Sequence, residues 1–537
     1  MENNGMCSRL IVTLLIATWW GGNLNWATGA EVPGGERRIL YNSDGGEAFA
    51  DFWTAAAPLE KIDGARMKTI MESSVDEMAK IGVDTLATCV WDRFQTMAPS
   101  QVCPDPMQKY VAPREAGLDP LETIIGRCHQ RGIEFLACLR MNDRHRGGDV
   151  ANKGRFIREN PQWLLEGAPG GMDYAQPKVR EQVLQFIEEL LDKYEVDGLE
   201  FDYMRWCHMF EPGEGSQHAN VLTDFVDKTR QLLTKTAQRR KCGRLVLGVR
   251  VPQTLRECDH LGFEVATWIK KGLIDYVVPT DFFYTDPNTS IKDFVKLAQG
   301  TACKIYPAIH PMICEGNRPG LNNPANYRAV ARNFYAVGAD GIETYNYQYH
   351  WAGNHAAGYP GPAYMWPAAL GYLRELRNPK LIAQRDRHYR FYQIWERKSP
   401  VGVVKDQRIK LNRGQSDLRD RRHFYLAENL SDPSLRATLQ FKALGLTKKE
   451  ALEIQLNGIK VPSRYIIRKF DEDGQNEWQG RPLEAFCWYT IDLNWKSIDG
   501  PIVYGDNEIR VQLTSSAAGR GALVEVCELE VYVYVRS

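Results

Sequence analysis

Three features of the sequence predict an α/β architecture followed by an all-β unit. From residue 38 to about 376, short apolar segments alternate with amphipathic helical stretches, which is typical of a parallel sheet whose strands are connected by helices. Eight such units follow one another, and doubly wound sheets rarely reach that number so regularly. After about residue 401, alternating strands and turns replace the helices. The sequence therefore predicts a (β/α)8 TIM barrel followed by a jelly-roll-like β-sandwich.

The chain divides into four predicted segments. Residues 1–30 have the pattern of a signal peptide, with a short region ending in Arg9, an apolar run and a small-residue stretch ending at Ala30. Residues 31–384 are assigned to the barrel, 385–400 to a charged, aromatic connector and 401–537 to the sandwich. The apolar run is shorter than the ~20 residues that span a bilayer. We expect a mature chain without a transmembrane segment, secreted or periplasmic; an uncleaved signal anchor is the alternative.

The composition fits a neutral partner at least as well as a charged one. Of 537 residues, 44% are hydrophobic and 25% charged, and the formal net charge is zero. Without a basic run or an acidic tail, nothing favours nucleic acid or an anionic membrane surface. The twelve cysteines form no CxxC pair and no zinc pattern, and we expect no metal and no cofactor. Two spacings allow disulfides in an oxidising compartment: Cys303 with Cys314, and Cys487 with Cys527.

Each element of the barrel follows from local pattern. Gly at a helix end, followed by a short polar residue, marks most strand entries, as in Gly338-Ala339-Asp340-Gly341. The predicted strands are Arg38–Asn42, Val83–Trp91, Ile133–Asn142, Val196–Arg205, Leu245–Pro252, Ile274–Phe283, Cys303–Pro311 and Ala339–Tyr347. The predicted helices are Arg66–Ile81, Pro120–Arg131, Pro177–Tyr194, Ala219–Gln238, Gly262–Lys271, Ile291–Ala298, Pro324–Val337 and Trp366–Leu376. Long loops follow the strands, and barrels build their sites on that side.

Strand four carries two acids on one face. Side chains alternate in a strand, so Glu200 and Asp202 are expected to face the barrel axis together with Met204. The residues expected to pack against the helices are Leu199, Phe201 and Tyr203. Burying two carboxylates side by side is unfavourable unless they are paired, bind a metal or take part in chemistry. Asp202 is nearer the C-terminal mouth, where barrel active sites lie.

Other strands bring polar side chains to the same mouth. Strand eight places Glu343 there, and strand six offers Asp281, whose direction depends on a register that the sequence does not determine. The predicted catalytic residues are Asp202, Glu343 and Asp281. The predicted substrate-binding residues are Glu200, Asp44, Trp91, Arg140, Asn142, Arg205, Trp206, Arg250, His310 and Tyr345.

This combination of residue types suits glycoside hydrolysis. That reaction needs one carboxyl group to protonate the leaving oxygen and an ionised one to act as nucleophile or base. Aromatic rings stack on the apolar faces of sugars, and the candidates are Trp91, Trp163, Tyr203, Trp206, Tyr284, Tyr345 and Trp351. Retention or inversion depends on a carboxyl separation of about 5–5.5 Å or 6.5–9.5 Å. The arginines suggest an acidic or sulfated glycan, unless the strand-four acids already pair with them.

The phrase from Asp197 to Trp206, DGLEFDYMRW, resembles the strand-four motif of the glycosyl-hydrolase-like family ten, exported bacterial barrels that often carry a C-terminal β module. The resemblance covers residues 38–376, includes the strand end Gly341–Glu343, and implies that Asp202 is the family's strand-four acid. The phrase also resembles the chitinase motif, but Met204 stands at its catalytic Glu position. A strand-four and a strand-six aspartate together would resemble α-galactosidase-like barrels, with Glu343 as an accessory.

Alternative interpretations stay open. Glu200 is also interpretable as a structural partner of Arg250 or Arg140, since buried charges are usually paired, and His310 as a satisfied core histidine. A metal-dependent hydrolase would need a ligand pattern that the sequence lacks. A non-catalytic carbohydrate-binding barrel is the main rival, since a fold does not guarantee activity. The C-terminal unit, whose phrase Leu456-Asn457-Gly458 resembles jelly-roll modules of glycoside hydrolases, is either a structural cap or a sugar-binding module.

Overall fold

The computed structural model describes most of the two predicted units. Its described residues are 36–45, 64–145, 149–281, 285–310, 323–345, 368–391, 408–413, 420–471, 477–478, 481–482, 486–495, 500–515 and 523–536. The predicted signal peptide lies outside these ranges, as do Tyr284, Cys314 and Trp351. Within the described ranges, no helix has the length and apolar character to cross a bilayer.

The N-terminal unit is a parallel sheet flanked by helices. Its strands are β1 (Arg38–Ser43), β2 (Thr85–Asp92), β3 (Glu134–Arg140), β4 (Gly198–Asp202), β5 (Val246–Pro252), β6 (Tyr276–Thr280), β7 in two pieces (Lys304–Ile305 and Ala308–Ile309) and β8 (Gly341–Tyr345). A two-residue strand, Gln95–Thr96, pairs antiparallel with the end of β2. All eight predicted strands are therefore present, and seven of them begin one or two residues later than predicted.

The helices lie where the periodicity predicts them, with short additions in the loops. They are α1 (Gly64–Ile81), α2 (Val111–Glu115), α3 (Pro120–Arg131), α4 (Arg155–Glu159), α5 (Pro177–Lys193), α6 (Ala219–Arg240), α7 (Leu255–Leu261), α8 (Val265–Lys270), α9 (Ile291–Ala298), α10 (Pro324–Ala336), α11 (Ala368–Leu376) and α12 (Pro379–Ala383). Asp119 caps α3 through bonds from the Leu121 and Glu122 amides, and Gly132 ends it at φ 72°, as the Gly-punctuated pattern predicts.

The strand order fits a TIM-like barrel. Neighbouring strands pair in parallel from β1 through β6, and β8 pairs with β1. The first piece of β7 pairs with β6 and the second with β8, so β7 joins the two ends of the row. Along β4, Phe201 packs at 5.5 Å from the ring of Phe225 on α6, whereas Glu200 bonds residues of β1 and β6. The predicted outward and inward faces of β4 are confirmed.

The C-terminal unit is rich in antiparallel β-structure. Its strands are β9 (Arg387–Arg390), β10 (Ile409–Asn412), β11 (Arg421–Leu426), β12 (Leu435–Leu444), β13 (Ala451–Leu456), β14 (Ile459–Lys460), β15 (Ile466–Asp471), β16 (Glu477–Trp478), β17 (Arg481–Pro482), β18 (Phe486–Asp492), β19 (Gly505–Ser515) and β20 (Leu523–Val535). One sheet contains β9, β10, β20, β12, β18 and β15, and another contains β11, β19, β13 and β14. Both contribute to one hydrophobic cluster.

Two details differ from the sequence-based expectation. Residues 387–390, inside the predicted connector, form β9, because Arg387 makes a buried ion pair with Glu428 at 2.7 Å and the strand pairs with β20. Cys487 and Cys527 are free thiols. They lie on β18 and β20, which flank β12, and two inter-strand spacings of ~4.8 Å exceed the reach of a disulfide.

Candidate active site

Two acids and one arginine form the centre of the barrel mouth. Asp202 on β4 is the register partner of Arg250 on β5, and its Oδ1 lies 3.3 Å from Arg250 Nε. Arg250 Nη1 donates to Glu343 Oε1 from across the barrel. All three side chains are at most 1% exposed, and the guanidinium lies 3.9 Å from the ring centroid of Tyr345. The structure thus brings together Asp202, Glu343, Arg250 and Tyr345, all of them predicted site residues.

This group contains buried polar atoms that form no hydrogen bond with the described residues. Among the described residues, Asp202 Oδ2, Glu343 Oε2 and Arg250 Nη2 have no hydrogen-bond partner. A buried polar atom without a hydrogen bond lowers the stability of the fold by ~1–3 kcal/mol. Native proteins therefore rarely contain one that has no function. Two acceptors and one donor stand in the same group, and a sugar hydroxyl can both donate and accept.

A second polar layer lies one pleat deeper. Asn42 Nδ2 donates to Glu200 Oε1 at 2.5 Å, and the Tyr276 hydroxyl donates to Glu200 Oε2 at 2.7 Å. Burial raises the pKa of Glu200, although Arg250 and the Tyr276 bond act to lower it. Because its carboxylate oxygens are already used by β1 and β6, Glu200 supports the site from beneath, with Asn42 and Tyr276 as its hydrogen-bond partners in place of the expected Arg250 or Arg140. No pattern in the sequence points to the participation of Tyr276.

Gly248 creates the space for this deeper layer. It lies on β5 between Glu200 and Tyr276, and a Cβ at this position would stand 1.9 Å from the Tyr276 ring. We expect Gly248→Ala to displace the ring, break its bond to Glu200 and lower the free energy of unfolding by ~2–4 kcal/mol. Urea denaturation measures the loss. The control is Gly126→Ala on α3, where nothing lies within 4 Å and alanine should stabilise slightly; equal effects would contradict the assignment.

Arg140 links the mouth to the end of β1. Its Nη2 lies 3.4 Å from Asp44 Oδ2, and its Nη1 lies 3.4 Å from Asp143 Oδ2. Both distances exceed the ~2.7–2.9 Å of a strong charge-assisted bond. Burial raises the pKa of Tyr345 to about 12, while the charges of Arg205, Arg140 and Arg250 act to lower it. These predicted arginines therefore converge on the same part of the mouth.

The loop after β3 contributes residues that sequence reasoning missed. Asp143, whose side chain is fully buried, lies 2.5 Å from His145 Nδ1 through Oδ1. His145 Nε2 lies 2.7 Å from Arg205 Nη2. A guanidinium only donates, so Nε2 accepts and Nδ1 carries the proton that Asp143 accepts. Burial acts to raise the pKa of Asp143, but the His145 bond and the charges of Arg140 and Arg205 outweigh it and lower that pKa.

His310 and Asp281 lie together at the ends of β6 and β7. His310 Nε2 lies 2.9 Å from Thr280 Oγ1, and the backbone oxygen of Asp281 accepts from the same hydroxyl. Burial, followed by the charge of Arg250, lowers the pKa of His310 to about 3. His310 is therefore neutral at physiological pH and is not a cationic proton donor there. Asp281 is 8% exposed.

This shift predicts an acid-sensitive contribution to stability. Below its unfolded pKa of ~6.5, His310 takes up a proton in the unfolded chain but not in the folded one, so stability is lost as the pH falls from 6.5 towards 3. In His310→Gln, the loss of unfolding free energy between pH 7 and pH 4.5 should shrink by ~2–3 kcal/mol. Denaturant titrations at the two pH values measure it. The exposed His423 provides the control, and an unchanged pH dependence would contradict the buried neutral state.

Two predicted substrate contacts serve the fold. Trp91 is fully buried, with its ring 4.8 Å from Phe94 and 6.3 Å from Phe186 on α5, so it packs with the helix layer. Asn142 Nδ2 donates to Met172 O at 2.9 Å and to His208 O at 2.7 Å. Its Oδ1 accepts a hydrogen bond from the Met172 amide at 2.8 Å. Asn142 therefore ties two loops together.

The arrangement contains the groups for acid–base chemistry. Within the described ranges, no three His, Cys, Asp or Glu side chains stand close enough to hold a metal ion. Two carboxyl groups share one cation at the mouth, with a free oxygen on each among the described residues. This geometry can bind a polyhydroxylated ligand and hold one proton donor and one anion beside it.

Comparison with known proteins finds relatives described as glycosyl hydrolases. Residues 53–307 match the model of a family described as Glycosyl hydrolase-like 10, which confirms the resemblance that the strand-four motif predicted. Glycosyl hydrolase DigH of Escherichia coli K12 is 22% identical over 251 residues, which are 39% of this chain and 56% of DigH. Glycosyl hydrolase YngK of Bacillus subtilis is 21% identical over 257 residues, covering 41% and 50%. The chain thus spans about half the length of these relatives.

Solved structures of glycoside hydrolases are distantly similar. The glycoside hydrolase domain of PgaB (BpsB) from Bordetella bronchiseptica is 12% identical, with 64% of this chain and 99% of that domain covered and a TM-score of 0.41. The alpha-L-fucosidase isoenzyme 2 from Paenibacillus thiaminolyticus is 13% identical, with 65% and 49% covered and a TM-score of 0.37.

Proposed function

We propose that this chain, whose barrel resembles the Glycosyl hydrolase-like 10 family, is an exported glycoside hydrolase that cleaves a poly- or oligosaccharide at its barrel mouth, and that the two C-terminal sheets form the predicted sandwich. Asp202 and Glu343 are its catalytic pair. Asp202 Oδ1 accepts hydrogen bonds from Arg250 Nε and from the Met204 amide, the latter at 2.9 Å, and these two donors hold the carboxylate in one position, as a nucleophile or base requires. Asp202 is therefore assigned as nucleophile or base, and Glu343 as the acid for the leaving oxygen.

The observation that carries this proposal is the set of unused buried atoms on one ion triad. Among the described residues, Asp202 Oδ2, Glu343 Oε2 and Arg250 Nη2 all lack a hydrogen bond. A purely structural ion pair satisfies its atoms within the protein, as Arg387 and Glu428 do with two bonds of 2.8 and 2.7 Å. Among the described residues, the triad at the mouth keeps two acceptor atoms and one donor atom that a sugar ligand can use.

A non-catalytic carbohydrate-binding barrel is the second candidate. It is favoured by the position of Arg250, which contacts both carboxylates at once. A cation shared in this way stabilises negative charge on both acids, and a binding protein needs no proton donor. The two candidates share the ligand and differ in turnover.

Release of reducing ends from neutral, uronic and sulfated polysaccharides tests the proposal. The unmodified protein should release them from at least one substrate, and Asp202→Asn and Glu343→Gln should not. Glu181→Gln, which changes an exposed acid on α5, is the matched control and should be fully active. Binding of a glycan without cleavage by the unmodified protein would favour the binding barrel.

A further inference from the structure

Trp206 has a strained backbone beside the proposed catalytic pair. Its φ is 83°, in the left-handed region that bulky residues rarely adopt. Such strain persists only where the surrounding structure enforces it, and it is concentrated at functional sites. Trp206 follows Asp202 by four residues, and the Asp202 carboxylate itself accepts the Met204 amide in the turn between them. The catalytic aspartate and the strained tryptophan therefore belong to one turn.

The side chains beside the indole ring of Trp206 include those of His145, Arg205 and Arg144. The His145 ring meets it edge-on at 4.8 Å between centroids. The guanidinium carbons of Arg205 and Arg144 lie 5.4 and 5.9 Å from the ring centroid. Trp206 is half-buried, whereas Arg205 and Cys207 on either side are buried. An aromatic body partly open at a barrel mouth, surrounded by hydrogen-bond donors, suits the apolar face and hydroxyl edge of a pyranose.

Asp143 holds the side chains beside Trp206 in place. Its fully buried carboxylate accepts the His145 backbone amide at 2.8 Å as well as the ring proton. Its other oxygen lies 3.4 Å from Arg140 Nη1 and 3.8 Å from Arg205 Nε. One buried anion thus orients the histidine and both arginines. The proposed reaction does not use Asp143, so its burial needs another explanation.

We propose that Trp206 is the stacking surface of a second sugar subsite, next to the catalytic one, and that Asp143 is its positioning residue, acting through His145 and Arg205. The ligand class is a pyranose unit of the same glycan chain. This inference rests on the proposed function. The inference adds to the proposed function that the substrate bound at the mouth is longer than one sugar unit.

The test compares a long and a short substrate. For an oligosaccharide, Trp206→Ala and Asp143→Asn should raise KM about tenfold or more, and Trp206→Phe should retain most of the affinity. For an aryl glycoside with one sugar, the rise in KM of the same variants should be at least about threefold smaller than the rise for the oligosaccharide. An unchanged KM for the oligosaccharide in Trp206→Ala, or equal losses on both substrates in Asp143→Asn, would overturn the proposal.

Thermal unfolding tests the backbone strain at Trp206 separately from ligand binding. Trp206→Gly and Trp206→Ala both lack the ring, but only glycine relieves a φ of 83°. The glycine variant should therefore melt at a higher temperature than the alanine variant, with the same loss of oligosaccharide affinity. A higher melting temperature for the alanine variant would contradict strain at this residue.

Failure of the proposed function is distinguishable from failure of this inference. If the unmodified protein cleaves neither substrate, calorimetric titration of Asp202→Asn with the same oligosaccharide replaces kinetics. Loss of binding on adding Trp206→Ala to that variant supports the subsite in a binding barrel. Undiminished binding overturns the subsite.

Discussion

Asp202→Asn is expected to lower kcat by about 10³-fold or more while leaving the protein folded. The substitution keeps the shape of the side chain but removes the charge that attacks or activates water, and acid–base groups contribute ~10²–10⁴-fold. Its Oδ1 can still accept the Met204 amide, which lies 2.9 Å away in the unmodified protein. Arg250 also keeps Glu343 as a counter-ion, so we expect the unfolding free energy to fall by less than the ~3–5 kcal/mol that breaking a whole buried pair costs. Initial rates on the best substrate of the panel give the measurement.

Glu343→Gln separates the two assigned roles. If Glu343 is the acid, Glu343→Gln should lower kcat strongly for a substrate with a poor leaving group. It should lower kcat less for an aryl glycoside, because the leaving oxygen of that substrate needs little protonation. Asp202→Asn should slow both substrates equally. The reverse pattern would exchange the two roles, and full activity in Asp202→Asn would remove this residue from the mechanism.

The barrel was predictable because its signals are local. Alternation of side chains along a strand placed Glu200 and Asp202 inward before any contact was known, and their bonds to Asn42 and Arg250 confirm it. Trp91 was predicted at the rim and lies in the core, because the register shifts between Cys89 and Trp91 where β2 meets β3. Such an irregularity moves a side chain to the other face of a strand, and the residue types in this strand do not predict it.

The rest of the candidate site depends on contacts between distant residues. Asp143 and His145 meet Arg205 about sixty residues later, and a loop has no periodicity from which to infer that contact. The charged phrase Asp143-Arg144-His145, directly after a strand, was the available signal. Strand β9 was missed because its four residues, RHYR, look like a solvated connector. Their burial depends on Glu428, Asn326 and Glu530, which are far away in the sequence.

Arg250→Met is expected to be the most destabilising single change at the mouth. The guanidinium is fully buried and contacts Asp202 and Glu343. Removing it leaves two buried carboxylates without their cation, and breaking a buried pair costs ~3–5 kcal/mol. Methionine keeps most of the volume, so the loss reports charge more than packing. Urea denaturation at pH 7 should show the full loss.

Acidification should reverse part of that loss, because protonating a carboxylate removes a charge that the variant cannot pair. The difference in unfolding free energy between Arg250→Met and the unmodified protein should therefore be smaller at pH 4 than at pH 7. Combining Arg250→Met with Asp202→Asn and Glu343→Gln removes all three charges, and this triple variant should recover at least half of the stability at pH 7. A single variant that loses less than ~1 kcal/mol, or a loss that grows on acidification, would show that Arg250 does not compensate the two acids.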